Sequence, residues 1–192
     1  MNYFFTSDYH LEHANIIRLC NRPHANKDEM YEDILKKHNA VVKHNDTIYD
    51  LGDIFYRGDY KLLPEYLGSF NGRRIILSGN HDKDLKKCFK KGLLNKLINK
   101  NKLVILDPFR PNQNVIQSIW VNNQHIVLSH YALRSWPSSF RGSWNLFGHS
   151  HGNLEGFSKS MDVGVDTNDF RPYSFDEISQ IISEKPDFFE KP

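Results

Sequence analysis

Five times along this chain an apolar run stops at side chains able to hold a metal ion. Residues 2–7 lead into Asp8-x-His10, Thr47–Leu51 into Gly52-Asp53, and Arg74–Leu77 into Ser78-Gly79-Asn80-His81-Asp82. His125–Ser129 leads into His130, and Asn145–Phe147 into Gly148-His149-x-His151. In an α/β sheet, residues just past the carboxyl ends of strands gather along one edge, where ligands bind. Side chains two apart at a bend can converge on one ion, and glycine lets the backbone turn sharply there. Any fold for this chain has to bring these five ends together.

The segments between them supply the rest of a layered domain. Residues 28–42 read as a helix with Tyr31, Ile34, Leu35, His38, Val41 and Val42 on one face, opened by Asn26 and Glu29 as a capping box. The unbroken Ile75-Ile76-Leu77 suits a strand buried on both faces. Leu85, Phe89, Leu93 and Leu97 recur every four residues and predict one amphipathic helix. Leu103–Leu106 reads as a strand, Val115–Val121 and His125–Ser129 as a hairpin turning through Asn122-Asn123, and Met161–Val165 as a last strand. Ser174 with Glu177 opens a terminal helix carrying Phe175, Ile178, Ile181 and Ile182. Strands and helices alternate in the first half and strands dominate the second. An α/β fold follows, an αββα-type sandwich of two mixed sheets flanked by helices. With no linker in 192 residues, residues 1–192 read as a single domain. Sheet order is not legible.

Composition narrows the function classes. At 39% hydrophobic and 25% charged residues the chain is neither disordered nor fibrous. Its net charge of +2 does not demand a nucleic-acid or membrane partner. No segment approaches a membrane span, and Met1 leads almost directly into Tyr3-Phe4-Phe5 without a basic leader. Cys20 and Cys88 form no zinc pattern, so the expectation is a cytoplasmic chain with reduced thiols. The ligand set is oxygen and imidazole nitrogen without thiolate, which favours manganese, iron, zinc or nickel over a structural cysteine–zinc site. One ion would leave several of these groups without a role, so two are expected.

These motifs resemble the calcineurin-like metallophosphoesterase superfamily, in its small single-domain bacterial and phage members. The shared series is D-x-H, G-D, G-N-H-[DE], a lone histidine after a strand, and G-H-x-H, in that order across residues 8–151. The resemblance implies hydrolysis of a phosphate ester by a hydroxide bridging two divalent ions, manganese foremost, with iron, zinc or nickel as alternatives. It implies that Asp8, His10 and His151 bind the first metal, that Asp53 bridges to the second, and that Asn80, His130 and His149 complete the second. His81 is implied to stand over the scissile bond and give a proton to the leaving oxygen. Gly52-Asp53-x-x-x-Arg57-Gly58 is also similar to the G-D-x-x-D-R-G motif of protein serine/threonine phosphatases, which makes Arg57 a candidate phosphate contact. Tyr56 stands where those enzymes have the aspartate that supports the catalytic histidine, so what orients His81 stays open. Leu11 replaces the glycine that follows their D-x-H, which weakens a protein as substrate.

The remaining signals are weaker. His24, His38, His44 and His125 read as ordinary polar side chains, whereas His13, three residues past His10, is a candidate for the site. Eight lysines within Lys83–Lys102 surround the leucine stripe and read as a solvated helix face rather than a nucleic-acid patch. Leu133–Ser143 is a loop rich in Ser, Pro and Gly that joins two ligand-bearing strands. Its Arg134, Trp136 and Arg141 are candidates for substrate contact, while Trp144 reads as core. The expected substrate is a small phosphomonoester or phosphodiester, a nucleotide among the candidates. A nuclease or protein phosphatase on the same site is a second reading, and a non-catalytic binding module a third. The complete ligand set weighs against the third. Substrate, native metal and oligomeric state are not legible.

Overall fold

The apolar runs of the first half form one sheet. β1 (Tyr3–Thr6), β2 (Thr47–Asp50), β3 (Arg73–Leu77) and β4 (Leu103–Leu106) lie parallel in the order β4-β3-β2-β1, with β9 (Tyr173–Ser174) antiparallel to β1 at the far edge. Parallel neighbours need crossover connections. Here α1 (Ala14–Leu19) and α2 (Lys27–Val41) join β1 to β2, α3 (Leu63–Ser69) joins β2 to β3, and α4 (Lys83–Lys90) and α5 (Asn95–Asn99) lead from β3 to β4. The computed structural model describes residues 1–106 and 116–187. The expected strand start at Val115 lies outside them.

A second sheet follows in the order β5 (Gln117–Val121), β6 (Gln124–Leu128), β7 (Trp144–Phe147), β8 (Ser160–Asp162), with β5 antiparallel to β6 and the others parallel. Asn122 and Asn123 both hold positive φ, 49° and 64°, the backbone that a two-residue hairpin turn requires. α6 (Phe175–Ser183) starts at the Ser174–Glu177 capping box anticipated from the sequence. Between the sheets, Phe5, Leu51 and Leu77 meet Val121, Ile126, Leu128, Leu146 and Met161, and α6 adds Ile178 and Ile182. On the other face of the first sheet, Ile76 and Leu103 pack with residues of α2, α3 and α4, among them Ile34, Leu67 and Leu85. Burying each such side chain contributes about 1.5–3 kcal/mol. Two mixed sheets flanked by helices result, the expected architecture. No helix among the described residues is long and apolar enough to cross a membrane.

Some local expectations differ. The lysine-rich segment is two helices, because Gly92 takes a left-handed φ of +71° just after α4. The four-residue periodicity fails across that break: Leu93 is 40% exposed, while Cys88 and Leu94 are buried. Asn26 caps α2 by accepting from the N–H groups of Asp28 and Glu29, but the Glu29 carboxylate turns to Ala25 N, not to the cap residue. Met30 joins the buried face of α2. α1, α3 and β9 are too short to leave a clear periodicity.

Beneath the strand ends, Arg74 of β3 is buried against Asp50 of β2 and lies over the rings of Tyr9 and Phe70, 5.0 and 4.8 Å from their centroids. The other Asp50 oxygen accepts Gly52 N at 3.1 Å, so the pair supports the turn that carries Asp53. Arg74→Met would strand a buried carboxylate and should cost about 3–5 kcal/mol of stability. Urea unfolding would measure it, and adding Asp50→Asn should recover part of the loss.

Candidate metal centre

The ends of β1, β2, β3, β6 and β7 meet where the two sheets adjoin, tied by backbone hydrogen bonds. Asp8 N donates to Gly52 O, His10 N to Asp53 O, Gly148 N to His130 O and Val165 N to Ser7 O, all at 2.9–3.0 Å. Five of the seven expected ligands, Asp8, His10, Asp53, His149 and His151, sit in the left-handed region with φ between 49° and 67°. Non-glycine residues adopt it at a cost of about 1–2 kcal/mol, so its concentration here marks a site whose surroundings hold it in place. Motif glycines permit the close packing. A Cβ on Gly79 would fall 2.1 Å from Asp53 Oδ1, and one on Gly148 would fall 2.1 Å from Ser7 Oγ and 2.6 Å from Asp8 Oδ2.

Two trios of candidate ligands result. Asp8, His10 and His151 offer atoms within 4.8 Å of one another, and so do Asp53, His130 and His149. Asp53 Oδ2 lies between the sets, 3.8 Å from His10 Nε2 and 3.3 Å from His130 Nε2. Asn80 Oδ1 is 2.9 Å from the same His130 nitrogen. Asp8 Oδ1 and His10 Nε2 are buried without a hydrogen-bond partner. Buried polar atoms seldom stay unsatisfied, and this pair fits a cation held by oxygen and nitrogen. A third trio, Cys20, His151 and Asp166, is equally close. Its carboxylate is already engaged, since Arg22 donates to both Asp166 oxygens at 2.7 Å.

The electrostatics match a place for positive charge. Burial pushes the Asp8 carboxyl up to about 7. Burial opposes protonation of His130, but the Asp53 carboxylate outweighs it and holds this imidazole up at about 9. The same contact keeps Asp53 below the usual carboxylate range despite its own burial. Metal ions compete with these protons for the same lone pairs. The ring orientations are also set: His130 Nδ1 faces Leu51 O at 2.9 Å, and His151 Nδ1 faces an Asp166 oxygen at 2.7 Å. Each contact leaves Nε2 as the ring nitrogen available to an ion.

The other expected residues divide. His81 N donates to Asp53 Oδ1 at 2.7 Å, and the His81 ring meets Tyr56 edge to face at 4.8 Å. Tyr56 therefore packs on His81 from the position of the missing aspartate. His13 contacts His10, Nδ1 to Nδ1 at 3.3 Å, and its ring lies 4.1 Å from that of Tyr56. Arg57, His13, His81 and Tyr56 share a cavity of about 690 Å³ with Ile16 and Leu19 of α1. Arg134, Trp136 and Arg141 are not among its lining residues. Trp136 is buried and donates from its indole to Ser143 O at 3.0 Å, filling the loop from within. Arg134 lies over Phe157 and Arg141 over Phe140.

Several contributors were not anticipated. Asp82 closes a motif, yet its carboxylate serves the backbone, accepting N–H groups from Asp53, Ile54 and Gly79 at 2.8–3.0 Å. The Tyr131 ring stands 4.4 Å from that of His149. Arg22 and Asp166 lie in none of the five motifs, and nothing local in the sequence singles them out.

A family model for calcineurin-like phosphoesterases matches residues 1–166. An uncharacterized protein of Methanocaldococcus jannaschii is 31% identical over 187 residues, covering 93% of this chain and 90% of that protein. Among solved structures, a protein of unknown function from Aquifex aeolicus has a TM-score of 0.68 and 26% identity, covering 94% of this chain and 99% of that one.

The close approach at Gly148 gives a direct test. Gly148→Ala should push Asp8 off its trio and lower manganese bound per chain, with far-ultraviolet circular dichroism unchanged. Normal metal content in this variant would show that the approach is not required.

Proposed function

The chain belongs to the calcineurin-like phosphoesterase family, and from that premise we propose that it hydrolyses a small phosphate ester at a centre of two divalent ions, manganese foremost. Family membership carries metal-dependent phosphoester hydrolysis. The observation behind two ions is the Asp53 carboxylate between two ligand trios. In this reading Asp8, His10 and His151 hold one ion, Asn80, His130 and His149 the other, and Asp53 is shared. Such ions supply a bound water acidified toward ~7 as nucleophile, and positive charge for the phosphate oxygens.

The side chains around the centre have separate tasks. Arg57 is the sole Lys or Arg among the cavity's described lining residues, and its planar fork suits two phosphate oxygens. His81, packed on Tyr56, faces the cavity beside His10, their ring centroids 5.5 Å apart, and gives a proton to the departing oxygen. Ile16, Leu19 and Tyr56 form an apolar wall for the leaving group, and the volume suits a small molecule such as a nucleotide. Substrate selection is thereby assigned to α1 and Tyr56 rather than to Arg134, Trp136 and Arg141. A polymer would call for more than one cationic contact, which favours a small substrate over nucleic acid.

Hydrolysis of an aryl phosphate ester should stop on chelation and return with manganese. Asp53→Asn should lose metal and activity together. His81→Ala should keep its metal while turning over roughly 100-fold more slowly, the scale of a lost general acid. Arg57→Lys should lower kcat/KM with metal content normal. Saturation at one manganese per chain would refute the two-ion centre, and a His81→Ala protein stripped of metal would make His81 a ligand.

A further inference from the structure

Arg22 follows α1 and uses every N–H it has. Nε donates to Asp166 Oδ1 and one Nη2 hydrogen to Asp166 Oδ2, both at 2.7 Å, while the other Nη2 hydrogen reaches Asp8 O at 2.8 Å. Nη1 donates to Tyr9 O at 3.0 Å and to Met30 Sδ at 3.3 Å. A guanidinium has five such hydrogens in a rigid plane. The carbonyls it takes up flank the left-handed turn at Asp8 and His10, φ 62° and 51°, and would otherwise be buried without partners. Asp166, held from one side by Arg22, accepts His151 Nδ1–H from the other at 2.7 Å.

We propose that Arg22 and Asp166 form a clamp that positions the first metal site, fixing the Asp8–Tyr9 backbone and aiming Nε2 of His151 at the ion. The inference rests on the reading of Asp8, His10 and His151 as ligands. It assigns a positioning role to two residues outside every motif, one of them 144 positions from the other. The clamp differs from an ordinary buried ion pair in what it touches: the backbone of one ligand, Asp8, and the ring nitrogen of another, His151. The two charges cancel, so the ligands are oriented without adding to the negative charge around the ions. Lysine could not copy it, since one ammonium cannot serve Asp166 bidentately and two carbonyls together.

The test is manganese binding to the full-length protein, followed by the electron paramagnetic resonance of free Mn2+. Wild type should bind two ions. Arg22→Lys and Asp166→Asn should bind one as wild type does and the other about 10- to 100-fold more weakly, the usual effect of losing a ligand's hydrogen-bond partner. The double variant Arg22→Gln/Asp166→Asn leaves no charge unpaired, and it decides the matter if a single variant fails to fold. Wild-type affinity for both ions in folded variants would overturn the clamp. Should wild type itself bind one ion, the two-ion reading falls, and the clamp then depends on whether these variants weaken that ion. A readout without mutation uses the zinc-loaded protein: long-range 1H–15N spectra should show His151 bound through Nε2 and protonated at Nδ1. Coordination through Nδ1 would refute the proposal even if no variant folds.

Discussion

Asp53 is held on every side, and much of the architecture follows from keeping that one carboxylate in place. Its N–H goes to Asp82, its carbonyl takes His10 N, and its Oδ1 takes His81 N. Its Oδ2 is left facing His10 and His130. These partners come from the ends of β1, β3 and β6, so seating Asp53 fixes the register of three loops at once. Gly79 lies against the carboxylate where any side chain would collide with it.

Such a centre is costly to build, and the surrounding structure compensates. Left-handed backbone at five candidate ligand residues stores several kcal/mol at the usual cost per residue. Three buried arrangements hold it: Asp82 over the Gly52 and Gly79 turns, Arg74 with Asp50 beneath them, and Arg22 with Asp166 beside the Asp8 turn. All three are polar contacts between segments distant in sequence. The apolar core brings the two sheets together, and these contacts set the side chains at their edge.

This division explains what the sequence reveals. The candidate ligands are legible because each motif is local: an apolar run, a glycine, and a metal-competent side chain within a few residues. The capping box at Ser174 and the hairpin at Asn122-Asn123 are legible for the same reason. Arg22 and Asp166 are not, since their meaning lies in a contact that only the fold creates. Trp136 misled in the opposite direction. Its loop carries the Ser, Pro and Gly of an exposed segment, but the indole turns inward to Ser143 O. Periodicity likewise ran past Gly92, because spacing alone cannot register the positive φ that ends α4.

The buried carboxylates tell which charges remain for ions and substrate. Asp50 is compensated by Arg74, and Asp46 accepts the N–H groups of Asn2 and Lys43. Asp82 takes three backbone amides, and Asp162 takes Gly152 N, Gly164 N and the Ser150 hydroxyl. Asp166 is matched by Arg22. Asp8 and Asp53 are different, because the positively charged groups acting on them are imidazoles, His130 and His151, which would have to give up protons for a metal to bind. In the proposed centre two divalent ions would meet only these two carboxylates among the ligands, leaving the site positive. Arg57 adds one more positive charge at the cavity wall. A cationic cleft of this kind attracts an anion, and a phosphate ester offers both the charge and the oxygens to fill it.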